Sequence, residues 1–98
     1  MSATPLSPEK IHEALADLPG WTYQRNALEK VFEFATFREA LGFMVRGGFD
    51  AESLNHHPEW TNIYNLVIVR LNTHSADHQV TAKDVELAHR LQKVSWVG

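Results

Sequence analysis

Residues 52–58 place Glu52, His56 and His57 together just ahead of Pro58. Two adjacent imidazoles and a carboxylate make a set suited to moving protons, because histidine is the side chain whose ordinary pKa lets it both give and take a proton near neutrality. Pro58 cannot continue a helix and pushes His57 toward an extended backbone, so a helix entering this stretch must stop near Asn55 or His56. At that stop the two rings diverge. His56 stays on the face that carries Glu52 one turn earlier, whereas His57 follows the new direction of the chain. His74 supplies a third imidazole where a β-branched run gives out, and Trp60 offers a flat apolar wall able to stack on a planar ring. Glu52 and Asp84 are the carboxylates placed to orient a histidine. Each residue also has a plain role open to it: Trp60 in the core, Asp84 as a helix cap, Glu52 and His57 in solvent, His56 against a helix dipole.

The rest of the chain limits what that set can be. Ninety-eight residues make one domain, 1–98, with residues 1–6 read as a flexible tail. Hydrophobic residues at 44% and charged residues at 21% are the balance of a folding globular chain. Cysteine is absent, which removes disulfides, thiolate zinc sites and a cysteine nucleophile. The net charge of −3 has no basic run behind it, the nine Lys and Arg being scattered singly, and this argues against direct nucleic-acid binding. No stretch approaches the ~20 apolar residues of a membrane span, and residues 1–6 lack a basic segment followed by an apolar one. The expected location is therefore cytoplasmic.

The elements that must carry the histidines are legible in order. Ser7 and Pro8 begin a first helix with Ile11, Ala14, Leu15 and Leu18 on its apolar face, closed by Pro19 and Gly20. Trp21 and Tyr23 alternate with polar residues, Arg25 and Asn26 turn, and Leu28, Lys30, Phe32 and Phe34 follow at period two, which predicts a hairpin. Thr36 and Glu39 form a capping box for a long second helix whose predicted apolar face is Phe37, Leu41, Met44, Val45, Gly48 and Ala51. Gly47 and Gly48 lie inside it, each costing about 1 kcal/mol of helix propensity. A short strand from Trp60 to Tyr64 and a long one at 66–73 predict a second hairpin, with Val67, Val69, Leu71 and Thr73 on one face and Ile68, Arg70 and Asn72 on the other. Thr81 and Asp84 open a final helix with Leu87, Ala88, Leu91 and Val94 as its stripe. The expected fold is α+β, α-β-β-α-β-β-α, a two-layer sandwich with helices on one face of a four-stranded antiparallel sheet.

Glu52-x3-His56-His57-Pro58-Glu59-Trp60, then Tyr64-Asn65, Leu71-x-Thr73-His74 and Thr81-x2-Asp84-x2-Leu87-Ala88 closely resemble the pterin-4a-carbinolamine dehydratases. Upstream, Leu28-x3-Phe32-x-Phe34 and Phe37-x2-Ala40-x2-Phe43-Met44 extend the resemblance to about Trp21. It implies a metal-free lyase, a 4a-hydroxytetrahydrobiopterin dehydratase, that forms a homodimer or homotetramer and takes part in tetrahydrobiopterin recycling beside an aromatic amino acid hydroxylase. No cofactor is implied, since the pterin is the substrate. The resemblance also implies that His56, His57 and His74 carry the chemistry with Glu52 and Asp84 in support, and that the chain around Asn55 and through Asn72, Thr73, His74 and Ser75 holds the pterin.

One departure stands out. The family's loop between the last histidine and the final helix is short and contains glycine, whereas residues 75–80 here run one residue longer without any, and include His78. His78 is read as a solvated loop residue. Two other functions stay open: a dimerisation module without essential catalysis, since animal members of the family also serve as dimerisation cofactors of a homeodomain transcription factor, and a metal site built from the three histidines and Glu52.

Overall fold

A computed structural model describes residues 4–96, and the first helix, α1 (Pro8–Leu15), starts as the sequence requires: the Ser7 hydroxyl accepts from the Lys10 N–H and Pro8 takes the first turn. Strands β1 (Thr22–Gln24) and β2 (Ala27–Glu33) follow, joined by Arg25 and Asn26 with φ of 51° and 63°. Positive φ at both central positions is the two-residue turn whose twist matches that of the flanking strands. Helix α2 (Phe37–Leu54) is capped by Thr36, whose hydroxyl accepts from the Glu39 N–H, while the Glu39 carboxylate accepts from the Ala35 N–H. Strands β3 (Glu59–Ile63) and β4 (Leu66–Leu71) form the second hairpin, a 3-10 turn covers His74–Ala76, and α3 (Ala82–Lys93) ends the set. The element order is the expected one. Met1 to Ala3, half of the stretch read as a tail, lie outside the described residues; Leu6 is fastened, its N–H donating to Val80 O at 2.8 Å.

The sheet runs β1-β2-β4-β3, antiparallel throughout, so the two hairpins meet along β2 and β4 with Leu28 opposite Leu71 and Glu33 opposite Leu66. Leu28, Phe32 and Phe34 from β2 and its end, with Val67, Val69 and Leu71 from β4, lie buried on one face beneath α2 and α3. Lys30 sits on that face too. Its ammonium nitrogen lies 4.7 Å from the Phe32 ring centre and donates to Pro19 O and Gln92 Oε1, and partial burial pushes its pKa below the ordinary lysine value. The opposite face is open, with Val31, Ile68 and the Glu29-Arg70-Glu59 row across three strands exposed or half-exposed.

Helix α2 departs from the pattern read in the sequence. Its buried residues are Ala40, Phe43, Gly47 and Ala51; of the predicted face, Ala51 and the partly buried Met44 meet the core, whereas Phe37, Leu41 and Val45 face outward together with Phe49, which is 74% exposed. Both stripes recur at three- and four-residue spacing, so periodicity alone could not say which would meet the sheet. Packing decides: the helix lies close to α3 at Gly47, where an added Cβ would come within 2.5 Å of the Leu91 side chain and 3.5 Å of Trp60. At Gly48 none of the described residues comes within 4 Å of the same position.

The two glycines should therefore respond oppositely to alanine. Gly48→Ala gains up to about 1 kcal/mol of helix propensity. Gly47→Ala gains the same but presses on fully buried Leu91, and overpacking of that kind costs about 1–3 kcal/mol, leaving a net loss of up to roughly 2 kcal/mol. Denaturant unfolding of the two variants checks this; equal stabilisation by both would show that Leu91 yields freely.

Candidate active site

Helix α2 ends on Asn55, whose φ of 51° turns the chain into the left-handed region. The Asn55 N–H donates to Glu52 O and the His56 N–H to Ala51 O, each at 3.0 Å, the pair of bonds that closes a helix when asparagine or glycine takes this position. The reversal sends the two imidazoles apart, as Pro58 requires. His56 turns inward, to 8% exposure, and His57 stays at the surface.

The carboxylate partners are exchanged relative to the simplest reading of helix spacing. Glu52 does not meet His56; its Oε1 lies 2.8 Å from His57 Nε2, an exposed contact that sets the ring's direction and contributes little stability. His56 Nε2 lies 2.6 Å from Oδ1 of Asp84, which is fully buried at the start of α3. The remaining oxygen, Oδ2, accepts from the Thr81 N–H and from the Thr73 hydroxyl, both at 2.8 Å. Thr81 Oγ1 in turn accepts from the Lys83 N–H and lies 2.7 Å from Thr73 Oγ1. With the Thr73 proton committed to the carboxylate, the Thr81 hydroxyl is the donor in that last bond. Asp84 thus receives at both oxygens, and a neutral His56 that donates to it from Nε2 has its lone pair on Nδ1. Asp84 is both the helix cap and the histidine's partner, two roles read separately in the sequence.

Beyond β4 the chain closes a small loop on Thr73: Thr73 N–H donates to Gln79 O, and Thr73 O accepts from the N–H groups of Ala76 and His78. His74 opens this loop and projects to the surface on the same rim as His56 and His57. The three rings border one cleft of about 480 Å³, together with Asn55, Pro58, Glu59, Arg70, Asn72, Thr73, Ser75, His78 and Lys83. That size suits a small-molecule ligand. Among the described residues no three His, Asp or Glu side chains are grouped to hold a metal ion.

Of the residues singled out in the sequence, Asn55, His56, His57, Asn72, Thr73, His74 and Ser75 border the cleft, while Glu52 and Asp84 support it from outside and beneath. Trp60 is the correction. It alternates to the core-facing side of β3, its ring 6.3 Å from Phe43 and close to Gly47, so it is a wall of the core and not of the cleft. Arg70, Lys83 and His78 went unassigned. Arg70 had a signal, since it shares the outer face of β4 with Asn72; its guanidinium is held by Glu29 at 2.9 Å and lies 3.7 Å from Glu59. Lys83 and His78 reach the rim only through the fold of the loop and the start of α3.

Comparison with known proteins adds to this geometry. A sequence profile of the family described as Pterin 4 alpha carbinolamine dehydratase matches residues 4–94. A proposed pterin-4-alpha-carbinolamine dehydratase from Opitutus terrae is 58% identical over 95 residues, covering 97% of this chain and 98% of that protein. One of the same description from Burkholderia vietnamiensis is 45% identical over 91 residues, 91% of this chain and 88% of its own length. The crystal structure of a transcriptional coactivator/pterin dehydratase from Brucella melitensis superposes with a TM-score of 0.89 at 38% identity, covering 94% of this chain and 99% of that one. With the fold, the histidine-lined cleft and nearly full-length similarity in agreement, the chain belongs to the pterin-4a-carbinolamine dehydratase family.

Proposed function

We propose that the cleft dehydrates a 4a-hydroxytetrahydropterin to the quinonoid dihydropterin by histidine general acid–base catalysis. The observation that carries this is the cleft-lining His56 held at 2.6 Å by buried Asp84, with two further imidazoles on the same rim. The substrate bears a hydroxyl on C4a beside the N5–H. Loss of water breaks the C4a–O bond and the N5–H bond and forms C4a=N5, so the reaction moves protons and no net electrons, and needs no redox cofactor or metal. His56 Nδ1 takes the N5 proton, and Asp84 stabilises the imidazolium that forms, as a buried carboxylate does for the base of a hydrolytic triad. His74 gives a proton to the departing hydroxide as the N5 electron pair expels it. His57, steered by Glu52, holds and polarises the pterin, with Asn55, Asn72 and Ser75 at its edges. The carbinolamine is what a tetrahydropterin-dependent hydroxylation leaves behind, which makes an aromatic amino acid hydroxylase the pathway partner and tetrahydrobiopterin recycling the setting.

Two features support assembly of this chain with itself. Phe37, Leu41, Val45 and Phe49 make an exposed apolar stripe on α2, and among the described residues no strand pairs with the outer edges of β1 and β3. A two-fold contact through that stripe, or a tetramer adding a sheet edge, covers them. The same stripe is what a dimerisation module would use, a second reading to which the coactivator description of the Brucella protein lends support.

General acid–base groups each contribute roughly 10²–10⁴-fold to rate, so His56→Ala and His74→Ala should lower turnover of freshly generated 4a-carbinolamine on that scale, with Asp84→Asn close behind His56→Ala. His57→Ala and His74→Ala, at the surface, should leave unfolding free energy within about 0.5 kcal/mol of the parent. His56→Ala and Asp84→Asn disturb a buried carboxylate and should each cost on the order of 1–3 kcal/mol. Wild-type turnover in all four variants would sink the assignment.

Turnover is also expected to survive prolonged treatment with a strong chelator. Loss with EDTA and recovery with zinc would establish a metal in its place.

Sedimentation equilibrium at micromolar concentration should give two or four times the 11.2 kDa of one chain. A mass near one chain would rule out the assembly.

A further inference from the structure

His78 lies in the glycine-free loop that follows His74, and the fold gives it a contact. Its Nε2 is 3.1 Å from Nδ1 of His74, with ring centres 4.6 Å apart and planes at 71°. The loop is built to make that meeting. Thr73 O accepts from both the Ala76 and the His78 N–H, and Asp77 and His78 take φ of 58° and 59° in succession, a conformation that side chains other than glycine rarely adopt. Glycine would occupy either position with less strain. Strain kept at the edge of a reactive cleft points to a use for the side chain that bears it.

The contact couples the two rings' tautomers. Between neutral rings, either both carry hydrogen on Nε2, and His78 donates to His74 Nδ1, or both carry it on Nδ1, and His74 donates to His78. Imidazole side chains intrinsically favour the Nε2–H form, so the first arrangement is preferred in both rings at once. It leaves Nε2–H as the free nitrogen of His74. We propose that His78 is a positioning residue for His74, donating from Nε2 to His74 Nδ1 so that His74 presents Nε2–H to the cleft as a proton donor. This rests on the dehydratase reading above and deepens it: His56, fixed by Asp84, offers a lone pair, while His74, fixed by His78, offers a proton. As His74 gives its Nε2 proton to the departing hydroxide, the His78 Nε2 proton moves to His74 Nδ1 and solvent supplies one to His78 Nδ1, so both rings stay neutral, and the proton that His56 took from N5 later returns to solvent. The charged and titratable groups around the pair are Asp77 in the loop, His56 and His57 from the end of α2, Glu59 from β3, Arg70 from β4 and Lys83 from α3.

The test uses His78→Gly and His78→Gln in the full chain. Glycine removes the ring and relieves the backbone, so the melting temperature should hold or rise. Glutamine places an amide N–H where Nε2 was and keeps the donor without a titratable ring. In substrate-free protein, the ring-nitrogen NMR signals and titration of His74 should change in His78→Gly, and His78→Gln should retain the wild-type Nδ1 acceptor signal. With the 4a-carbinolamine, His78→Gly should lower kcat on the order of tenfold with KM nearly unchanged and shift the pH profile of kcat, and His78→Gln, which keeps the donor but cannot relay a proton, should recover part of kcat at neutral pH. His74 signals in His78→Gly identical to wild type would overturn the pairing. Altered signals with unchanged kcat and pH profile in an active enzyme would overturn its role in presenting the proton. A wild-type protein without turnover would instead refute the dehydratase reading while the substrate-free spectra still decide the pairing.

Discussion

A fully buried carboxylate must be met by donors at both oxygens or its burial is prohibitive, and Asp84 is met from three directions. His56 comes from the end of α2, Thr73 from beyond β4, and Thr81 N–H from the turn into α3. Satisfying one anion therefore brings three element ends to a common point, and that point is the floor of the cleft. The same bonds start α3, fix the direction of the Thr81 and Thr73 hydroxyls, and decide which His56 nitrogen carries hydrogen. Stability and chemistry are coupled at this residue, since any change that leaves the charge with fewer donors loosens both.

His56, His57 and His74 hold different environments on the cleft although two of them are neighbours in sequence. His56 is sheltered and backed by an anion; His57 is exposed and steered by a solvated glutamate; His74 is exposed and backed by another imidazole. A proton acceptor and a proton donor can coexist at one pH only if their surroundings differ, and the difference here arises from where the chain turns. Asn55 in the left-handed region splits His56 from His57, and Thr73, bonded at both its N–H and its carbonyl, bends the chain back so that His78 covers His74. Arg70, held between Glu29 and Glu59, adds a fixed positive charge at the cleft's border.

Much of this was local and hence legible. Caps at Ser7, Thr36 and Thr81, the Arg25-Asn26 turn, the stop before Pro58 and the alternation along β4 each follow from a few adjacent residues, and all appear in the structure. Misreadings came where two local patterns were equally good. Helix α2 carries an apolar stripe on two sides, and Trp60 is as suitable for a core as for a pocket; only the neighbours available on each side separate the choices. His56 against Glu52 satisfied helix spacing, yet Asp84, 28 residues away, offered a carboxylate that could not be left unpaired.

The sequence by itself determined the elements, their order and the element ends at which His56, His57 and His74 stand, because those depend on backbone preferences and periodicities within a turn or a strand. Tertiary structure alone decided that β2 pairs with β4 to put β1 and β3 at the edges, that Gly47 and not Gly48 meets α3, and that His56 belongs to Asp84 and His74 to His78. These are contacts between groups brought together by packing or by a left-handed loop, and their energies depend on distance and desolvation, which no spacing along the chain encodes.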